Sequence, residues 1–366
     1  MRKPEKHKIA FVSGDGRRCR RVNAAAKLFY DLVAYDHPAT ALAAMERFQP
    51  DVVLVDEQSR ATGGAHFLRD LRHNARLAHL PVIVLTAAGA DPPVVSGPGA
   101  VVVLTEPIRR GPLIKAVSSL INAEVCLRWS GLPHSQRAAL SDTLAAFNDV
   151  AAAIGNGLPI NYLPVEMACR SVVEAIKNQQ YRQMLEAVRE HDDYTFTHSL
   201  RVGTLLALFG QTIGLSDEDM LLMAGGGLLH DVGKIGIPPL LLNKPGRLAA
   251  DEMTVMRGHV DETVRLLKTG QRIPKGVIAI AANHHEKLDG SGYPRKLQAG
   301  QLDELARMSA IVDVFSAMTD RRPYKPALDA ATAFKVIVET MATQLDTHLL
   351  ALFRAVLLDG AYRLGG

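Results

Sequence analysis

Cysteine, aromatic residues and long apolar runs are all scarce in this chain. Its 366 residues include three cysteines, Cys19, Cys126 and Cys169, far apart and in no C-x-x-C pair. That spacing builds neither a disulfide framework nor a structural zinc site. It suits a reducing compartment, with all three expected as small buried hydrophobes. No apolar run approaches the ~20 residues that cross a bilayer, and residues 9–12, behind a charged N-terminus, are too few for a signal-peptide core. A cytoplasmic protein with no membrane partner is expected. The formal charge of +4 is small and scattered, which disfavours a nucleic-acid polymer as partner and leaves room for an anionic small ligand.

Two kinds of pattern are present. Residues 9–12, 52–55, 82–85 and 101–104 are short β-branched runs separated by helical periodicity, the mark of a parallel sheet with helices on both faces. Ligands on such sheets bind beyond the carboxyl ends of the strands, where Asp56 and Thr86 fall. The proline- and glycine-rich residues 91–99 oppose a helix. Residues 108–188 read as helical with a break at 155–159, and an apolar stripe runs from Met167 through Val172, Val173, Ile176, Tyr181, Met184 and Leu185 to Val188. Such a stripe fits either a coupler or homodimer seam, or a helix packed on its own domain. From Tyr194 onward only helices and turns are expected. Ser216 to Asp219 reads as a capping box. The triplet Gly225, Gly226 and Gly227 then costs a helix about 1 kcal/mol per residue, which close packing on a neighbouring helix would offset.

The chemistry concentrates in Leu228-Leu229-His230-Asp231-Val232-Gly233-Lys234. An apolar pair leads into adjacent His230 and Asp231, so an imidazole and a carboxylate sit at a buried helix end, where a charge needs a partner. A metal ion is the natural one. His198, His259, His284, His285 and Asp313 each interrupt otherwise apolar helical patterns in the same way. Nitrogen and oxygen donors without a thiolate suit iron, manganese or a similar divalent ion.

Residues 230–238 together with His284-His285-Glu286-Lys287-Leu288-Asp289-Gly290-Ser291-Gly292-Tyr293-Pro294 resemble the HD-GYP phosphodiesterase family, over residues 181–366. The resemblance implies a helical HD-domain bundle that hydrolyses cyclic di-GMP to linear pGpG, and in some members on to GMP, with a metal-activated water. By position, His198, His230, Asp231 and Asp313 would bind one metal and His259, His284 and His285 a second, with Asp231 bridging. A pair of ions about 3.5 to 4 Å apart neutralises the phosphodiester and lowers the pKa of a water. Asp231 and Lys234 would be catalytic, Lys234 also meeting the phosphate. Arg322 and Lys325 would clamp the second phosphate, and the Gly292-Tyr293-Pro294 loop would contact diguanylate cyclases. Family members with a third metal use a glutamate four residues before the first ligand histidine. Tyr194 stands there, so a dinuclear site is expected, with iron the leading metal.

Residues 8–122 resemble a response-regulator receiver domain, through Pro50 to Asp56, Gly64 and Thr86. That implies a five-stranded parallel α/β sheet with Asp56 at the phosphoacceptor position. The acidic pair that normally ends the first strand is Ser13-Gly14, with only Asp15 following, and the usual lysine before the proline is Glu106. An acyl phosphate needs nearby cations, so a pseudo-receiver with an inactive Asp56 is expected. The organisation is thus receiver-like 1–122, helical linker 123–188 and HD-GYP domain 189–366. The competing readings are a non-catalytic adaptor that binds nucleotide or cyclases, and a phosphodiesterase for another cyclic dinucleotide such as cyclic GMP-AMP.

Overall fold

The computed structural model describes residues 7–26, 30–57, 64–90, 98–108, 110–189, 191, 194–242, 244, 246–320 and 327–359. The chain divides into two compact units, Met1–Leu127 and Arg128–Gly366.

In the first unit the order is β1 (Lys8–Val12), α1 (Gly16–Ala26), β2 (Asp31–Tyr35), α2 (Pro38–Phe48), β3 (Val52–Asp56), α3 (Gly64–His73), β4 (Val82–Thr86), β5 (Val101–Thr105) and α4 (Arg110–Trp129). The five strands are parallel in the order β2-β1-β3-β4-β5. Strands β3 and β4 are buried along their whole length, which is why they read as unbroken apolar runs rather than alternating ones. Period-two alternation still sorts them. Ile9, Phe11, Leu54, Ile83 and Leu85 pack with Val22 of α1 and Leu113 and Val117 of α4. Ala10, Val12, Val53, Val55 and Val84 pack on the other face with Met45 of α2 and Phe67 and Leu71 of α3. The proline-rich segment expected to lack a helix lies, from residue 91 to 97, outside the described residues.

The second unit contains α5 (His134–Gly155), α6 (Leu163–Lys177), α7 (Tyr181–Val188), α8 (Tyr194–Thr212), α9 (Asp217–Leu229), a 3-10 turn (Val232–Gly236), α10 (Pro239–Leu242), α11 (Ala250–Arg257), α12 (His259–Thr269), α13 (Lys275–Asn283), α14 (Glu304–Thr319), α15 (Ala330–Met341) and α16 (Thr347–Arg354). Helices α5 to α7, expected as a linker, fall within this compact unit. The apolar stripe is broken at Gln179, whose φ is 58°. On its two helices Val172, Val173, Ile176, Met184 and Val188 are buried while Met167 is exposed, so the stripe packs on its own unit.

The capping box of Ser216 and Asp219 starts α9. A Cβ on Gly225 would strike the Tyr162 ring, one on Gly226 Ile280 of α13, and one on Gly227 the backbone of Gly203 in α8. Three neighbours therefore close on α9 just before His230, offsetting the helical cost of the glycines and fixing where that histidine emerges. Of the cysteines only Cys169 is buried; Cys19 and Cys126 are half-buried. Among the described residues no helix is long and apolar enough to cross a membrane.

Candidate metal centre

Seven side chains from five segments converge in the second unit. His198 projects from α8, His230 and Asp231 follow α9, His259 begins α12, His284 and His285 follow α13, and Asp313 lies in α14. His198, His230 and Asp313 place ligand atoms within 4.8 Å of one another, as do Asp231, His259, His284 and His285. The carboxylate of Asp231 stands between the two groups. Its Oδ2 lies 3.2 Å from His230 Nε2 and 3.9 Å from His198 Nε2. Its Oδ1 lies 3.1 Å from His259 Nε2 and 3.8 Å from His284 Nε2. Asp313 is split likewise, with Oδ1 3.0 Å from His198 Nε2 and Oδ2 3.6 Å from His285 Nδ1.

The imidazoles are held from behind. The Nδ1–H groups of His230, His259 and His284 donate to the carbonyls of Gly227, Met256 and Ala281, at 2.7, 2.7 and 2.9 Å. A carbonyl only accepts, so this fixes the tautomer and leaves each neutral ring an Nε2 lone pair aimed inward. The consequence is a convergence of acceptors. His259 Nε2 and His284 Nε2 are 3.5 Å apart, and His230 Nε2 and Asp231 Oδ1 are buried without a hydrogen-bond partner. Buried acceptors facing one another require a cation. The donors present, imidazole nitrogens and carboxylate oxygens, fit divalent metal.

Burial and neighbouring charge put His284, His285 and Asp231 in metal-binding form and leave a proton on His198. Burial, with the neighbouring His285 and His230, holds His284 well below its ordinary value. Burial also lowers His285, to about 3, so both rings are neutral near pH 7. Burial opposes ionisation of Asp231, but Lys234 and His230 outweigh it and hold the carboxyl well below the usual range. Burial likewise opposes a proton on His198, yet bonds to Asp313 and Asp320 raise it to about 9.

Asp320 was not anticipated from sequence. Its Oδ2 accepts from His198 Nδ1 at 2.7 Å, and its Oδ1 lies 3.4 Å from Arg201 Nε. It orients His198 as the carbonyls orient His230, His259 and His284. The separation of 122 residues hides that pairing from any local pattern. Thr263 accepts from the Gly233 N–H at 2.9 Å and donates to the His259 carbonyl at 2.8 Å. It ties the turn after Asp231 to the start of α12. Lys234, expected to face a substrate phosphate, is half-buried and donates to Asp231 Oδ2.

Glu286, inside the motif but given no role by it, is buried and accepts from the backbone N–H groups of Arg295 and Leu297, at 2.7 and 2.9 Å. It folds the loop of Gly292, Tyr293 and Pro294 back over the cluster, and Gly292 lies so close to the Glu286 backbone that a Cβ would clash. The Tyr293 ring lies 4.6 Å from that of His285, tilted against it. Arg322 and Lys325 lie outside the described residues, as does the side chain of Tyr194.

The first unit carries a different acidic site at the carboxyl ends of its strands. Asp56 is buried, accepts from Ser13 Oγ at 2.7 Å, and is paired with the Arg18 guanidinium. Arg18 also reaches Glu106 at 2.8 Å. Asp15, the remaining acid expected near this site, instead accepts from the N–H groups of Arg17 and Arg18 at the start of α1. Thr86 is buried at the end of β4.

The HD domain family model matches residues 172–349. Cyclic di-GMP phosphodiesterase response regulator RpfG of Xanthomonas campestris pv. campestris is 32% identical over 314 residues, covering 83% of this chain and 76% of that protein. Cyclic di-GMP phosphodiesterase PA4108 of Pseudomonas aeruginosa is 37% identical over 42% of this chain and 37% of its own length. 3'3'-cGAMP-specific phosphodiesterase 3 of Vibrio cholerae is 32% identical over 45% of this chain and 35% of its own length. The chain thus spans three-quarters of the first relative and little more than a third of the other two. With the long His-Asp and Gly-Tyr-Pro motifs in order around one buried cluster, the chain belongs to the HD-GYP family.

Proposed function

We propose that this chain is a metal-dependent phosphodiesterase that opens cyclic di-GMP to linear pGpG. The observation that carries the reading is Asp231, whose two oxygens face two separate sets of imidazoles whose lone pairs converge. Relatives named as cyclic di-GMP phosphodiesterases align over this same region. His198, His230 and Asp313 would hold one divalent ion and His259, His284 and His285 a second, with Asp231 offering an oxygen to each group. Iron or manganese fits the donor set best. Bound there, such ions supply Lewis acidity toward a phosphodiester oxygen and acidify a water.

The chain's own groups supply the rest. Carbonyl-anchored imidazoles keep the donor geometry fixed, so no reorganisation is needed as charge develops. Lys234 offsets the negative charge of Asp231 at the edge where an anionic substrate arrives. Arg322 and Lys325 are proposed to bind the phosphate that is not cleaved, a match for the planar fork of arginine. In the receiver-like unit the residues do not fit magnesium. Its first strand is followed by Ser13 and Gly14, and Arg18 already neutralises Asp56 and Glu106, so Asp56 is structural and the unit's regulatory input is something other than phosphorylation.

A second substrate is favoured by one observation, the similarity to a 3'3'-cGAMP-specific phosphodiesterase. Anaerobic purification, elemental analysis and parallel assays of cyclic di-GMP and cyclic GMP-AMP decide between them. The expected result is about two ions per chain, faster turnover of cyclic di-GMP, and loss of both in Asp231→Ala. Full metal loading with turnover of neither dinucleotide would overturn the reading.

A further inference from the structure

Arg257 ends α11 two residues before His259 and is exposed. Its guanidinium carbon lies 4.9 Å from the centroid of the Tyr293 ring. That ring in turn lies 4.6 Å from His285, the two planes inclined by 31°, and 6.5 Å from His259. The Tyr293 ring thus neighbours both a surface cation and the imidazoles of the cluster. Among the described residues no carboxylate makes a salt bridge with Arg257. Cation–π attraction favours the guanidinium over the ring and leaves N–H groups to donate.

Resting on the phosphodiesterase reading, we propose that Arg257 reads the guanine of the nucleotide whose phosphate lies at the cluster, and so sets guanine over adenine. With Tyr293 against both Arg257 and His285, a base that extends from the cluster past that ring would bring its edge to the guanidinium. Guanine presents two adjacent acceptors, O6 and N7, which match the arginine fork. Adenine presents N7 beside an N6 donor, which the fork meets donor to donor. A phosphate contact would show no such preference. Tyr293 is the platform that orients Arg257 and has no part in bond cleavage.

The test uses the metal-loaded full chain with Arg257→Ala and Arg257→Lys. It compares KM for cyclic di-GMP with the affinity of cyclic di-AMP as competitor, and adds calorimetric binding of a bis-phosphorothioate analogue of cyclic di-GMP. In the alanine variant the preference for the guanine dinucleotide falls about tenfold, through KM rather than kcat. Metal content is retained, and the lysine variant lies between. An equal loss for both dinucleotides, which a phosphate-binding or structural role would give, overturns the inference, as does no loss. If the metal-loaded wild type hydrolyses neither dinucleotide, the phosphodiesterase reading fails separately. The analogue then decides, since equal binding by the wild type and Arg257→Ala rejects the role of Arg257.

Discussion

At the carboxyl ends of β3 and β5, Asp56 and Glu106 share one guanidinium, that of Arg18. In the helical unit Asp231 and Asp313 face five imidazoles, with Lys234 on Asp231 alone. Both units gather acids at one place, and they neutralise them differently. The first unit carries its cation covalently, and its acids are already paired. The second holds orphaned acceptors, His230 Nε2 and Asp231 Oδ1, and is complete only with a cation from outside. An acidic cluster alone therefore identifies no metal site; what separates the two is the direction of the lone pairs and whether a chain cation reaches them.

The largest effect that can break this comparison is in the helical unit. Removing a partner one contact away from a metal already costs 10–100-fold in affinity or activity, so Asp231→Ala, which removes a carboxylate shared by both sets, should cost more than about 100-fold. Elemental analysis and turnover should fall together. Retained metal with lost turnover would instead make Asp231 a reacting group rather than a bridge.

The matching cut in the first unit is Arg18→Met. Arg18 and Asp56 side chains are 10% and 1% exposed, and taking the charged partner from a buried carboxylate costs about 3 kcal/mol or more. Hydrogen exchange of residues 9–12 and 52–56 in the full chain should accelerate accordingly, and the double variant Arg18→Met/Asp56→Asn should recover most of the protection. Magnesium should protect the same peptides in neither case for the wild-type protein. Magnesium protection of wild-type Asp56 would return the unit to an active receiver.

Smaller, and sharper, is Asp320→Asn. The residue touches His198 from the side away from the cluster, so metal affinity should fall about 10-fold to 100-fold while the fold is kept. A variant with wild-type affinity would leave Asp320 as an ion-pair partner of Arg201 only.

Why the sequence revealed some of this and not the rest has physical reasons. Strands β1, β3 and β4 are buried between two layers of helices and announce themselves as β-branched runs; β5 also carries such a run. β2, Asp31–Tyr35, is an edge strand with a half-exposed pattern, and its Asp-Leu-Val-Ala-Tyr offers no such run. Four of the seven clustered side chains were legible as the adjacent pairs His230-Asp231 and His284-His285 within two long motifs, whereas His198, His259 and Asp313 stand alone in the chain and were placed by the resemblance. Asp320 and Arg18 act only through contacts between distant segments, and nothing around either marks them. The break between α6 and α7 rests on a single left-handed residue, Gln179, which the continuous apolar stripe concealed.

The finest contrast is in pH. In the metal-free helical unit His198 has its pKa raised to about 9, by Asp313 and Asp320 acting against burial. Below that value the ring carries a proton that a metal must displace, and above it the lone pair is free. Apparent metal affinity should therefore rise about tenfold per pH unit through neutrality and level off near pH 9. Asp320→Asn removes one of the two carboxylates that hold the proton. Its curve should level off at lower pH, although its plateau lies below that of the wild type. A shared slope would mean that the proton displaced belongs elsewhere in the cluster. No such metal-linked slope is expected of the first unit, where the guanidinium of Arg18 meets Asp56 and Glu106 directly.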